Sequence, residues 1–179
     1  FNTLSIALGA EATFVARAID VDAVNLGNVL RRAAEHRGTA FVEIYQNCNV
    51  FNDGAFEPMT EKAVRSDRLL VLEHGKPLVF GKERRRGIRM RPDATLEVVD
   101  VDGDTSGLLV HDETRGGGYP FLLSRLAYPD FPEPIGVLRA VRQPSYEEIV
   151  VEQGKKAVAQ RGPGDLHKLL HAGETWVVP

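Results

Sequence analysis

One cysteine occurs in 179 residues, and it stands in a run of amides and turn formers: Gln46-Asn47-Cys48-Asn49-Val50-Phe51-Asn52-Asp53-Gly54. A thiol does chemistry as its thiolate, either as a nucleophile or as a soft metal ligand. A nucleophile needs a base or cation beside it. The stretch around Cys48 holds none, and His36 and His74 are the nearest imidazoles along the chain. A lone cysteine in a core is only a small apolar residue, but the polar neighbours of Cys48 describe a hydrogen-bonded turn rather than core. As a ligand, one thiolate is a fraction of a site. An iron–sulfur cluster normally takes four, so three would come from outside these residues. A single cysteine also excludes an internal disulfide and fits a reducing, cytoplasmic setting.

Four other patterns have the residue types for chemistry. Lys82-Glu83-Arg84-Arg85-Arg86-Gly87-Ile88-Arg89-Met90-Arg91 is strongly basic. It reads as a solvated hairpin, or as a grip for an acidic or phosphate-rich partner. His167 and His171 have the i, i+4 spacing that two metal ligands on one helix use, without a third ligand placed near them. Asp100, Asp102 and Asp104 alternate like calcium-loop ligands, but Thr105 to Asp112 has no glutamate to close such a loop. Arg115-Gly116-Gly117-Gly118 lacks both the Gly-x-Gly-x-x-Gly spacing and a long preceding strand, so it reads as a connector.

The elements that position these residues begin as α/β. Asn2 or Thr3 caps a short helix through Leu8. Ala12 to Ala18 has strand character. Asp20 or Asp22 then caps a helix over Ala23 to Arg37, with Leu26, Val29, Leu30 and Ala33 on one face. Thr39 to Tyr45 follows with little alternation, as an inner parallel strand covered on both faces would. Strand, helix and strand make a βαβ unit. Cys48 lies three residues past the second strand, and sites in open parallel sheets gather outside the carboxyl ends of strands.

Beyond Cys48 a short helical piece is expected around Glu61-Lys62. Short strands follow at Leu69–Glu73, Pro77–Phe80, Ile88–Met90 and Leu96–Val101, punctuated by Gly75, Gly81, Gly87 and Gly103. Leu108 to His111 reads as a short strand or a helix start. Tyr119 to Leu126 reads as a helix and Ile135 to Val141 as a strand. Ser145 and Glu148 have capping-box spacing for a helix to about Gln160. Asp165 caps a last helix, and Trp176 is expected to pin the C-terminus.

Composition sets the frame. Lys plus Arg is 22, Asp plus Glu is 25, and the formal charge is −3. Apolar residues are 43% and charged residues 26%, values ordinary for a globular domain. The longest apolar runs are far below the ~20 residues of a membrane span. The mild acidity offers no general reason to expect nucleic acid. Phe1 follows no basic leader or cleavage pattern, so the chain is expected to be cut from something longer.

The residues also carry a resemblance. Asn2-Thr3-Leu4-Ser5-Ile6-Ala7-Leu8-Gly9-Ala10-Glu11-Ala12-Thr13-Phe14-Val15-Ala16-Arg17 resembles the second half of the thiamine-diphosphate domain in the beta subunit of 2-oxoacid:ferredoxin oxidoreductases. The match continues in order through Ala33, Glu35-His36-Arg37-Gly38, Val42-Glu43-Ile44-Tyr45-Gln46-Asn47-Cys48 and Phe51-Asn52-Asp53-Gly54-Ala55-Phe56. It then takes in Val110-His111-Asp112, Phe121-Leu122-Leu123-Ser124-Arg125-Leu126, Pro134-Ile135-Gly136-Val137-Leu138-Arg139 and Pro144-Ser145-Tyr146. The C-terminal part is most similar to the actinobacterial type assigned to 2-oxoglutarate.

The resemblance implies an α/β fold: the C-terminal half of a thiamine-diphosphate-binding domain over residues 1–65, a parallel sheet with flanking helices. A small mixed α+β extension then covers 66–179. In that family the cysteine of a Gln-x-Cys-Pro-x-Phe-Asn string is one of four ligands to a [4Fe–4S] cluster. Gln46, Cys48, Phe51 and Asn52 match the string, while Asn49 stands where proline is usual. That departure bears on the rigidity of the turn and removes no ligand atom. The cofactors implied are thiamine diphosphate, Mg2+ and the [4Fe–4S] cluster. The magnesium-binding strings and the other three cysteines belong to the preceding half of such subunits. The implied reaction is oxidative decarboxylation of a 2-oxoacid to its acyl-CoA, with thiamine diphosphate as electron sink and the cluster passing electrons to ferredoxin. The implied partners are an alpha subunit, ferredoxin, coenzyme A and the 2-oxoacid, in a heterodimer or dimer of heterodimers. Pyruvate or another 2-oxoacid is the alternative within the family. A non-catalytic binding module using the basic hairpin is the alternative outside it. By itself the chain is expected to be inactive.

Overall fold

Asn2 opens the first helix. Its side chain accepts the Ser5 amide at 2.8 Å, and α1 runs over Thr3–Gly9. Strand β1, Phe14–Ile19, follows with all six residues buried. The Asp22 carboxylate accepts the Asn25 amide at 3.1 Å and starts α2, Ala23–Ala34. This helix stops three residues short of the expected Arg37. Glu35 caps it, and Gly38 at φ +132 turns the chain back. Strand β2, Ala40–Tyr45, then pairs parallel to β1, with Arg17 opposite Glu43. The computed structural model describes residues 1–178, which fall into two units, 1–143 and the residues from 144 on.

The sheet of the first unit has the order β2-β1-β7-β3. Strand β3 is Leu69–Leu72 and β7 is Glu133–Ala140. β7 runs antiparallel to β1, and β3 runs parallel to β7. The sheet is therefore mixed, and β2 is its edge, with its residues half-buried or exposed. The expectation of an inner, doubly covered strand at 39–45 is corrected on this point. The central place belongs to β1, and the strand on its other side comes from about 120 residues further along the chain. No local pattern announces such a pairing. At Gly136, φ is +104, and a Cβ there would lie 2.9 Å from the Leu72 carbonyl oxygen. Only glycine allows β7 to lie this close to β3.

Between these strands lie two four-residue helices, α3 (Glu57–Thr60) and α4 (Arg65–Arg68), on either side of the expected position at Glu61-Lys62. A second sheet, β4-β5-β6, is an antiparallel meander of Val79–Phe80, Arg86–Met90 and Leu96–Asp100. Helix α5, Gly118–Ser124, precedes β7. Leu4, Val15, Leu70, Leu72, Leu138 and Leu123 join Leu78, Phe80 and Ile88 of the meander in one core. On the opposite face α2 packs Val29 against Phe14, Ala16 and Val137. The main sheet thus takes strands from both sides of residue 65, and the division there stands as a proposal about the family's halves.

Beyond residue 143, Ser145 and Glu148 form the capping box expected of them, and α6 runs over Tyr146–Arg161. Asp165 caps α7, Leu166–Leu170, by accepting the Lys168 amide at 3.0 Å. Every described residue from 146 on is exposed. Trp176 is 82% exposed, so it does not pin the C-terminus. The large apolar side chains closest before it in sequence, Leu166, Leu169 and Leu170, are themselves exposed, so the indole gains no buried partner there.

Candidate functional site

Cys48 stands off the carboxyl end of β2, beside the end of β1. Its loop is closed locally. The Asn52 amide donates to the Cys48 carbonyl at 2.9 Å, Asn47 Nδ2 donates to Asp53 Oδ1 at 2.9 Å, and the Gly54 amide donates to Asn47 Oδ1 at 2.9 Å. Asn47 thus gives the turn two side-chain closures that do not depend on a proline at position 49. The thiol is accessible and faces backbone amides. Hydrogen bonds from Phe51, then Val50, hold its pKa below the usual thiol value. Amide donors around sulfur favour the thiolate, the form that binds metal. Val50 and Phe51 at the loop tip are 75% and 91% exposed.

A buried charge cluster anchors this end of the sheet, and no spacing rule in the sequence pointed to it. Arg17 on β1 is 3% exposed. Its Nε lies 2.7 Å from Glu43 Oε2 on β2, and its Nη1 lies 2.5 Å from Glu133 Oε2 on β7. The Thr3 hydroxyl donates to Glu43 Oε1. Arg17 also covers the Tyr45 ring at 4.7 Å, and Tyr45 stacks on Phe56 at 4.5 Å and 14°. Phe56 is the far end of the Cys48 loop. The stack therefore ties that loop to a buried ion cluster. Burial pushes the Glu133 carboxyl above the usual carboxylate range, opposed by Arg17, and burial likewise raises the Tyr45 phenol. The available signal was an arginine inside the apolar run Ala16-Arg17-Ala18, matched by Glu43 inside Val42-Glu43-Ile44.

The other sequence candidates are not brought together. The basic run at 82–91 is largely neutralised. Arg85 pairs with Glu83, Arg86 with Asp67 at 2.7 Å, and Arg89 and Arg91 both with Glu97 at 2.7 and 2.8 Å. This leaves little of the broad cationic face that a binding module would use. The rings of His167 and His171 stack at 4.2 Å. Asp104 spends its oxygens on Ser106. Among the described residues no three His, Cys, Asp or Glu side chains converge as a metal cage. His74 approaches Asp112 at 3.8 Å on the surface. His111 is buried, with Nδ1 3.0 Å from the Tyr119 hydroxyl and Nε2 2.8 Å from the Val137 carbonyl, a structural tie between β7 and α5.

No protein-family model matches the chain. It is 38% identical over 183 aligned residues to the 2-oxoglutarate oxidoreductase subunit KorB of Mycobacterium tuberculosis. The chain is related to the beta subunits of 2-oxoacid:ferredoxin oxidoreductases. The alignment with KorB takes in 99% of this chain and 48% of that protein, so the chain spans about half the length of this relative. A 52-residue stretch is 33% identical to the 2-oxoacid:ferredoxin oxidoreductase subunit beta of Saccharolobus solfataricus, covering 29% of this chain and 17% of that one. Among solved structures, the 2-oxoglutarate:ferredoxin oxidoreductase of Magnetococcus marinus, with 2-oxoglutarate, coenzyme A and succinyl-CoA bound, superposes with a TM-score of 0.57. The superposition covers 97% of this chain and 45% of that one at 20% identity, which places the two in one fold. Among the described residues of this relative of the beta subunits, no helix is long and apolar enough to cross a membrane.

Proposed function

We propose that the chain is part of the beta subunit of a cytoplasmic 2-oxoglutarate:ferredoxin oxidoreductase. The complex would convert 2-oxoglutarate and coenzyme A to succinyl-CoA and pass electrons to ferredoxin, with an alpha subunit as permanent partner in a heterodimer or dimer of heterodimers. The observation that carries this reading is the 38% identity to KorB along 99% of the chain. When bound, thiamine diphosphate with Mg2+ would supply the electron sink for decarboxylation, and a [4Fe–4S] cluster would supply one-electron transfer.

The residues of this chain fit one part of that machinery. Cys48 offers an accessible thiol whose sulfur is already hydrogen-bonded by amides, as a cluster thiolate requires. Asn47 and the Tyr45–Phe56 stack would hold it at a fixed position. Arg17, Glu43 and Glu133 would keep the ends of β1, β2 and β7 in register beneath it. The three remaining thiolates and the magnesium ligands would come from elsewhere in the subunit.

The test is anaerobic purification of the whole subunit with its alpha partner. About four irons per beta subunit are expected, with Cys48→Ser losing the iron while the protein keeps its fold. Normal iron in that variant would remove Cys48 from the site. Turnover with 2-oxoglutarate should exceed that with pyruvate, and the reverse order would reassign the substrate.

A further inference from the structure

One arginine of the basic hairpin, Arg84, stays outside its ion pairs and lines a cavity with two cations from the segment before β3. A cavity of 340 Å3 opens beside β3, where Lys62, Arg65 and Arg84 share the lining with Asp22, Ser66 and the Phe80 ring. Leu69, Val79, Phe80 and Ile135 give it an apolar floor, each at most 8% exposed. Three cations thus face one carboxylate. Asp67, two residues from Arg65, is already engaged by Arg86 at 2.7 Å and by the Lys82 amide at 3.2 Å, and Glu83, next to Arg84, pairs with Arg85. Among the described residues no carboxylate lies within 4.0 Å of Lys62, Arg65 or Arg84, in contrast to Arg85, Arg86, Arg89 and Arg91.

The backbone delivers Arg84 to this place by an unusual path. Glu83 and Arg84 are consecutive non-glycine residues with φ of +59 and +56. The turn they make, from Gly81, lets one arginine of the run face the cavity while its neighbours reach their carboxylates. Two guanidinium forks and an ammonium around a small apolar floor suit a compact polyanion with a short apolar body.

We propose that this cavity binds a small organic polyanion, phosphoryl or dicarboxylate, through Lys62, Arg65 and Arg84. The site is independent of Cys48 and of the activity proposed above. Titration calorimetry of the full chain with sodium pyrophosphate, and separately with sodium succinate, tests it. Saturable binding at one site per chain is expected, weakened about tenfold or more by Arg65→Gln or by Arg84→Gln. Ser66→Trp, which fills the cavity and leaves its charges in place, should abolish binding. Arg85→Gln, whose guanidinium is paired to Glu83 outside the cavity, should change the affinity less than twofold. Tighter pyrophosphate assigns a phosphoryl ligand and tighter succinate a dicarboxylate; either upholds the site. Absence of saturable heat from both probes at millimolar concentration overturns it. So does equal weakening by Arg85→Gln, which would mean diffuse surface charge.

Discussion

Replacing Arg17 by methionine keeps most of the apolar stem and deletes the charge between two carboxylates. The side chains of Arg17, Glu43 and Glu133 are 4%, 20% and 13% exposed. Breaking a buried pair by removing one partner costs about 3–5 kcal/mol, because the remaining charge is left uncompensated. With a urea dependence of ~2 kcal/mol/M, the unfolding midpoint should fall by ~1.5–2.5 M. The loss should also depend on pH. Burial already raises the Glu133 pKa above its ordinary value, against the opposing effect of Arg17. The native state then holds that proton more tightly than the unfolded chain, where glutamate titrates at about 4.3. The stability this contributes is present below that pH and is lost as pH rises through the native pKa. Without Arg17 the native pKa rises further, so the deficit of Arg17→Met should widen from about pH 4.3 toward neutrality. Adding Glu133→Gln should recover most of it at pH 7. Urea melts followed by circular dichroism at pH 4.5 and 7 give both quantities. A midpoint shift under ~0.5 M, or a deficit equal at both pH values, would refute an energetically coupled buried cluster.

Four further outcomes follow from single contacts. Gly136→Ala should destabilise the chain by about 1–3 kcal/mol in the same melts, since φ +104 and the Leu72 carbonyl both oppose a Cβ; an unchanged midpoint would contradict the close β7–β3 approach. Burial holds the His111 pKa below the ordinary imidazole value of about 6.5. The neutral ring therefore contributes stability above that value that is lost as pH falls, and His111→Gln should flatten the pH dependence on the acid side of neutrality. Ser145→Ala removes the acceptor for the Glu148 amide and should cost α6 about 1 kcal/mol, read as reduced helical ellipticity. Alkylation of Cys48 by iodoacetamide should show a midpoint below that of a free thiol, and Phe51→Pro, which removes an amide donor, should raise it.

Much of the local structure was legible because it depends on neighbours along the chain. Asn2, Asp22, Ser145 and Asp165 each accept an amide three residues on, and the helices start where those side chains stand. The turn residues after Tyr45 likewise placed Cys48 in a polar loop at a strand's carboxyl end, and the motif strings around it carried the resemblance. Helix ends and strand positions were less legible. The end of α2 depends on Gly38 and its surroundings, and the rank of β2 depends on β7, which enters the sheet from the far end of the sequence. The same holds for the chemistry beyond Cys48. Residue types could show that Arg17 and Glu43 were unusual inside apolar runs, but only the register of β1, β2 and β7 joins them to Glu133. Composition showed a basic run at 82–91. Only the fold pairs Arg85, Arg86, Arg89 and Arg91 with Glu83, Asp67 and Glu97 and leaves Arg84 to line one cavity with Lys62 and Arg65. Charges act through distance, and distance between residues remote in sequence is set by the tertiary packing.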